Sequence, residues 1–338
     1  MLVSEGARVI TAGVDLTDAT LASEVAAGLD LVEDALKSAA QAEHEVLTEA
    51  AAHLIEAGGK RLRPMLVLLA AQFGNPQDPR VVPAAVAIEL THLATLYHDD
   101  VMDEADVRRG TPSANSRWDN TIAILTGDFL FARASQILAD LGAEAIRIQA
   151  ETFNRLVTGQ VAETVGPVPG TDPFDYYFSV ITEKTASLIA TSGRFGAMFS
   201  DAPAGVEALI TPACAALGVA YQLSDDILDV ASDTAQSGKT PGTDLREGVR
   251  TLPMLHALRS AGPADARLVQ LLNQGDLTDP AQHSEALSLL RAHPAMDLAR
   301  ADLRDWVGMA RAEILRLPDV PARGAFEAFC EFVVERSG

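Results

Sequence analysis

The sequence predicts an all-α protein, folded as one domain of about ten to twelve helices. Three observations carry this. First, breakers cut the chain into helix-sized pieces: "GG" at 58–59, "GNPQDP" at 74–79, "GPVPGTDP" at 166–173, "DAPAG" at 201–205, "GKTPG" at 238–242, "GDLTDP" at 275–280 and "LPDVP" at 317–321. Second, the Ala- and Leu-rich segments between them place apolar residues three and four apart, with few β-branched alternations. Third, there is no dinucleotide-binding glycine fingerprint, no P-loop and no fixed-period repeat.

Residues 1–16 read as a loose lead-in, and 17–338 as the single domain. The stretch from Asp15 to Ala57 carries helical spacing throughout, with Thr17 or Asp18 placed to cap it. "PAAVAIELTHLATLYHDDVMDE" opens with Pro83 in a first-turn position, where a missing N–H costs nothing. "YQLSDDILDV" lies on a further apolar helix, and no low-complexity linker divides the chain.

Composition excludes several classes. The 338 residues are 48% hydrophobic and 22% charged, ordinary for a soluble globular protein. The longest apolar runs, such as "MLVLLAA" from Met65, are too short to span a bilayer, so no transmembrane segment is expected. Glu5, Arg8 and Asp15 surround a short apolar patch, which is not the pattern of a secretory signal. Two cysteines, Cys214 and Cys330, make no disulfide framework; reduced thiols in the cytoplasm are expected. A formal charge of −21 argues against nucleic acid and against a polybasic membrane anchor.

One count is more pointed. Only four of the 26 basic residues are lysines: Lys37, Lys60, Lys184 and Lys239. A lysine is a compact point charge suited to a phosphate, whereas arginine offers a planar fork. Lys60 in "GGKRLRP", Lys184 in "EKT" and Lys239 in "GKTPGTD" have the context of sites, although chance placement would give the same count.

The decisive stretch is "HLATLYHDDVMDEADVRRG", His92 to Gly110. Residues four apart share a helix face, so Asp99 and Asp103 point the same way, with Asp100 beside them. Packed carboxylates resist joint ionisation unless a cation sits among them. Mg²⁺ combines one or two carboxylates with phosphate oxygens and water. A solvated acidic helix end is the plain alternative, but acids at a helix C-terminus oppose the macrodipole. Asp225, Asp226 and Asp229 repeat the spacing on a second apolar helix. Two such sets, facing each other across a cavity, would hold several Mg²⁺ ions around one diphosphate.

From about residue 45 to its end the chain resembles the trans-prenyltransferases, the all-trans isoprenyl diphosphate synthases. The ordered motifs "GGKRLRP", "DDVMDEADVRRG", "TGDFL", "GQ" at 159–160, "KT" at 184–185, "YQLSDDILD" and "GKTPGTDLREG" carry the resemblance. It implies the isoprenoid synthase fold, an orthogonal helical bundle around a deep central cavity, and a homodimer. It also implies roles. Asp99 and Asp103 would bridge two Mg²⁺, with Asp100 beside them, and Asp225 would bind a third, supported by Asp226 and Asp229; Mn²⁺ can substitute. Arg108, Lys184 and Lys239, helped by Thr185, Gln222 and Asp244, would bind the allylic diphosphate. Lys60, Arg63, His92 and Arg109 would bind isopentenyl diphosphate. Asp99, Asp103, Lys184, Asp225 and Lys239 are the expected catalytic set. Without the resemblance, His92 would read as a core histidine, and Gln160 and Tyr221 as packing residues.

The chemistry needs these residue types. A diphosphate leaves an allylic carbon only when its developing charge meets fixed cations. The double bond of isopentenyl diphosphate then attacks the cation, and the departing diphosphate is the expected base. Water must be excluded, so the rest of the cavity should be apolar. One departure stands out: many members have "EGK" where this chain has "EGVR", with Val249 in place of the lysine and Arg250 next to it.

In this family, bulky residues four or five positions before the first aspartate stop chain growth early. Here those positions are Thr95 and Ala94, and Thr91 and Ala87 continue a stripe of small residues. From Ala87 to Asp99 is roughly 18 Å along a helix. The expected product is C30 to C50, as in quinone side chains, released through peripheral membrane contact. Close helix packing is the alternative reading of the stripe, and geranylgeranyl diphosphate synthase the rival activity. A terpene cyclase would lack an isopentenyl diphosphate site such as "GGKRLRP". A non-catalytic regulatory partner would have lost an aspartate motif, and both are whole here.

Overall fold

The computed structural model describes residues 9–11, 13–232 and 241–336. Lys239, expected at the allylic diphosphate, lies outside the described residues. Sixteen α-helices are described: α1 (Ala19–Ala39), α2 (Glu45–Glu56), α3 (Leu62–Ala71), α4 (Val81–Met102), α5 (Ala114–Arg117), α6 (Asn120–Leu141), α7 (Ala143–Val165), α8 (Pro173–Ile181), α9 (Ser187–Phe199), α10 (Val206–Ala231), α11 (Thr243–Glu247), α12 (Leu252–Ser260), α13 (Ala266–Leu272), α14 (Pro280–Ala292), α15 (Ala295–Ile314) and α16 (Pro321–Glu335). A π-helical turn, Thr182–Ala186, joins α8 to α9. The all-α expectation is met, apart from two small hairpins among the described residues.

One compact unit comprises Met1–Asn154, Leu188–Cys214 and Glu313–Phe329. Within residues 1–16, expected as a loose lead-in, β1 (Val9–Thr11) pairs antiparallel with β2 (Val14–Leu16), Val9 opposite Leu16. The reason is local. All three residues of β1 are β-branched, and Val14 and Leu16 of β2 are buried. Asp18 then caps α1, its carboxylate accepting the Leu21 N–H at 2.8 Å. The long first helix of the sequence reading is two helices. No glycine or proline marks the break; instead the Thr48 hydroxyl accepts the Ala42 N–H at 2.9 Å and donates back to the Ala42 carbonyl at 3.2 Å. Apolar α3 is buried along nearly its whole length, and Pro83 stands in the first turn of α4 as expected. Phe73 stacks on Phe326 at 6.2 Å within the core.

The second unit comprises Arg155–Ser187, Ala215–Ala312 and Cys330–Gly338. Asp172 caps α8, accepting the Phe174 and Asp175 N–H groups, with Pro173 in the first position. Phe178 packs on Trp306, ring centroids 5.8 Å apart.

Two helices exceed the length the sequence reading allowed for apolar segments. By length and composition α6 and α10 are long and apolar enough to cross a membrane. Each also buries one face in protein: Ala123, Leu130, Ala134 and Leu138 on α6, and Leu217, Ala220, Leu223 and Ile227 on α10.

Candidate active site

In the first unit, α4 ends at the first aspartate set. Asp103 is its C-cap, and the Asp103 N–H returns to the Asp99 carbonyl at 2.8 Å. The cap leaves Asp103 exposed and Asp99 half-buried, one turn apart. Asp100 behaves differently. It is fully buried and accepts from Arg108 Nε at 2.6 Å, while its Oδ2 has no partner. Burial raises its pKa against the pull of Arg108. Arg108 is held for this by a two-residue ladder, β3 (Val107–Arg108) with β4 (Thr111–Pro112), closed by Arg109 and Gly110 at positive φ.

Beside this turn lies a concentration of positive charge. His92, about two turns before Asp99 on the same face of α4, has a pKa far below the ordinary imidazole value. Burial is the main cause, and Arg63, Arg109, Arg108 and Arg61 add to it. Positive charge gathered in this way raises the local potential felt by an anion. Arg109 donates to the carbonyls of Leu54 (2.8 Å) and Gly58, and its Nη2 lies 4.0 Å from Glu89. Lys60 is exposed and Arg63 half-buried. Lys60, Arg63, His92, Arg108 and Arg109 thus all belong to one unit with Asp99 and Asp103.

The second unit assembles the other predicted residues. Lys184 and Thr185 sit on the π-turn, a distortion that recurs at functional sites. Gly159, from the "GQ" pair, explains how α7 reaches it: a Cβ there would stand 2.5 Å from the Lys184 amide nitrogen. Lys184 is paired with Glu163. A chain of contacts runs inward. Thr185 donates to Gln222 Oε1 at 3.2 Å, Gln222 Nε2 donates to Asp226 at 2.9 Å, and the Tyr177 hydroxyl donates to the other Asp226 oxygen at 2.5 Å. Burial pushes Asp226 up to about 7, against those two hydrogen bonds. Asp225 instead faces Arg336, whose guanidinium lies over the Tyr221 ring at 4.5 Å. Asp229 accepts the N–H groups of Thr243 and Asp244, both at 3.1 Å, at the start of α11.

The two motifs therefore share an arrangement that the spacing alone did not reveal. The middle aspartates, Asp100 and Asp226, turn into the protein and take protein partners. Asp99 and Asp103, and Asp225, keep solvent-facing surface. Hard carboxylate oxygens one turn apart suit Mg²⁺. Among the described residues no three carboxylates or imidazoles already converge on one point, so an ion here needs further oxygens from substrate and water.

Three further placements bear on the sequence reading. Ala87, Thr91 and Ala94 are buried and Thr95 half-buried. Thr91 donates to the Ala87 carbonyl and accepts from Gln149 of α7 at 2.5 Å, so this part of the stripe is packed against a helix. Arg250, next to Val249, is exposed and donates to Asn273 at 3.3 Å. Sequence reasoning missed Arg61, Glu33 and Glu89 altogether. The one signal was an acid three residues before His92 on an otherwise apolar helix.

Comparison with known proteins places these motifs in context. The family model described as polyprenyl synthetase matches residues 44–290. A nonaprenyl diphosphate synthase of Mycobacterium tuberculosis is 49% identical over 330 residues, covering 97% of this chain and 98% of the relative. A geranylgeranyl pyrophosphate synthase of Corynebacterium glutamicum, solved with calcium and isoprenyl diphosphate, superposes with TM-score 0.87 at 43% identity, covering 96% of this chain and 100% of that one. A decaprenyl diphosphate synthase of Rhodobacter capsulatus gives TM-score 0.85 at 35% identity, covering 94% and 99%.

Proposed function

The chain belongs to the polyprenyl synthetase family, and from that premise we propose how its own residues divide the work of a trans-prenyltransferase that makes a long-chain polyprenyl diphosphate. The substrates are isopentenyl diphosphate and an allylic diphosphate. The observation that carries the division is that Lys60, Arg63, His92 and Arg109 belong to the unit that holds α4 and its aspartate turn, whereas Lys184, Thr185, Gln222 and Asp244 belong to the other unit. Lys60, Arg63, His92 and Arg109 take the diphosphate of isopentenyl diphosphate. Lys184 and Thr185 on the π-turn, Gln222 and Asp244 take the allylic diphosphate together with Arg108.

Asp99, Asp103 and Asp225 are the proposed Mg²⁺ ligands, with Asp229 supporting. Three ions are proposed, and Mn²⁺ as a substitute. Bound there, the ions supply positive charge to the leaving diphosphate. Asp100 fixes Arg108 through a buried ion pair, and Asp226 fixes Gln222, so both middle aspartates act on the substrate groups beside them. The buried apolar wall of α4 keeps water from the allylic cation. The cation is attacked by the isopentenyl double bond, and the proton leaves to the departed diphosphate.

Product length is proposed as C30 to C50, because Thr95 and Ala94, four and five positions before Asp99, are not bulky. A second copy of the chain is the proposed partner, supported by exposed Ile124, Leu125 and Ile146. The cytoplasm is the proposed compartment, with the two cysteines as buried thiols. The test is consumption of labelled isopentenyl diphosphate. It should require an allylic primer and Mg²⁺ and stop with chelator. Primer turnover without isopentenyl diphosphate would point to a cyclase, and no turnover of either to a regulatory partner.

A further inference from the structure

The turn ahead of α3 is held in an unusual way. Gly58 and Gly59 take φ of 79° and 146°, and Arg61, a non-glycine, takes φ 48° in the left-handed region. A non-glycine residue persists there chiefly where its surroundings hold it. The Arg61 side chain provides the hold. It runs back into the protein, 7% exposed, between α1 and α4. Nη1 donates to Glu89 at 3.0 Å and to the Gly58 carbonyl at 3.4 Å. Nη2 donates to Glu33 at 3.2 Å and to the Ile55 carbonyl at 2.9 Å, and Nε donates to Glu33.

A guanidinium has five N–H donors, and these contacts use all five. Arg61 therefore has no donor for a phosphate, although it lies in the same cationic cluster as Arg63 and Arg109. Two carboxylates also balance its charge: Glu89, itself 2% exposed, and Glu33. From the other side, Arg109 grips the carbonyls of Leu54 and Gly58 and lies so close that a Cβ on Gly59 would stand 2.9 Å from its Cζ.

We propose that Arg61 is a positioning residue for isopentenyl diphosphate: Glu33 and Glu89 hold it turned inward, and it fixes the strained turn from which Lys60 and Arg63 reach the diphosphate. The inference rests on the reading that Lys60 and Arg63 bind that substrate. Glu33 lies on α1 and is not a candidate ligand for either substrate, so its effect can reach the reaction only through Arg61.

The experiment compares Glu33→Ala, Glu33→Gln, Arg61→Lys and Lys60→Ala by steady-state titration of each substrate, with melting curves for each. Misplacing the turn should raise KM for isopentenyl diphosphate roughly tenfold in Glu33→Ala and in Arg61→Lys. KM for the allylic primer and kcat should stay near wild type. Glu33→Gln keeps one of the two acceptor oxygens for Arg61 and should recover part of the loss. If Lys60→Ala leaves KM for isopentenyl diphosphate unchanged, the site assignment fails and the inference with it. If Lys60→Ala raises it while Glu33→Ala and Arg61→Lys do not, the inference alone is overturned. Equal changes in both substrate KM values, or a lower melting temperature with unchanged kinetics, would make Arg61 a stability residue and overturn it too. Arg61→Lys can fail to fold; Glu33→Ala, at a partly exposed position, keeps the test alive.

Discussion

Replacing Asp226 by Asn should change how stability responds to pH. In the folded protein Asp226 is buried, and its carboxyl is pushed up to about 7 from an ordinary value of 3.8. Between those values the folded chain keeps a proton that the unfolded chain has released. Stability then falls as pH rises through this window and levels off above about 7. Each pH unit is worth about 1.4 kcal/mol, so the full window amounts to about 4 kcal/mol. Asn keeps the shape but has no proton to lose. It has one acceptor oxygen where Asp226 offers two, to Tyr177 and Gln222, so one hydrogen bond is lost at about 1 kcal/mol, independent of pH. The assay is urea unfolding of both proteins from pH 5 to 8 in chelator, since a cation at Asp225 would favour the ionised neighbour. The variant should gain on wild type by about 1.4 kcal/mol per unit up to pH 7, then run parallel to it. A stability difference that stays constant from pH 5 to 8 would refute the reasoning.

The other predictions concern turnover and product. Asp99→Ala and Asp225→Ala should each cut turnover by orders of magnitude while leaving the melting curve near wild type, because the lost group acts on substrate charge; near-normal turnover in either would remove it from the metal ligands. Gly159→Ala forces a Cβ against the Lys184 backbone at the π-turn, so its KM for the allylic primer should rise, as in Lys184→Ala, by about ten- to a hundredfold, the worth of one charge-assisted contact. An unchanged allylic KM would detach Lys184 from that substrate. Ala94→Phe adds a large side chain at a fully packed position little more than one turn before Asp99. If Ala94 lines the growing tail, chromatography of dephosphorylated products should show mainly C15 or C20. A stable, active variant that still makes the wild-type chain would leave the stripe to helix packing, as the Thr91–Gln149 contact already does one turn earlier.

Much of the site was legible because its chemistry is local in sequence. An i, i+4 carboxylate pair on an apolar helix is visible without coordinates, and so is a lysine in a chain that otherwise uses arginine. What stayed hidden depends on contacts between distant segments. Asp100 and Asp99 are the same residue type one position apart, yet Asp100 is fully buried and meets Arg108 of β3, while Asp99 stays half-buried. Asp226 turns to Tyr177, which lies far back in the sequence. The π-turn under Lys184 follows from α7 crossing at Gly159, and no propensity encodes that crossing. Arg61 drew no reading from the sequence, and its five occupied donors separate it from Lys60 and Arg63 only once the fold is known. The break between α1 and α2 was missed for a related reason: it is made by a threonine side chain and carries no breaker residue.

The most direct test of the central claim is the length of the chain that the wild-type protein makes. The purified protein would be given labelled isopentenyl diphosphate in excess, an allylic primer and Mg²⁺, and the dephosphorylated products resolved by reversed-phase chromatography against all-trans standards. The residues before Asp99 predict a narrow distribution within C30 to C50, absent when chelator is added. Growth that stops at C20 with isopentenyl diphosphate still in excess, or no incorporation with Mg²⁺ and primer present, would contradict it.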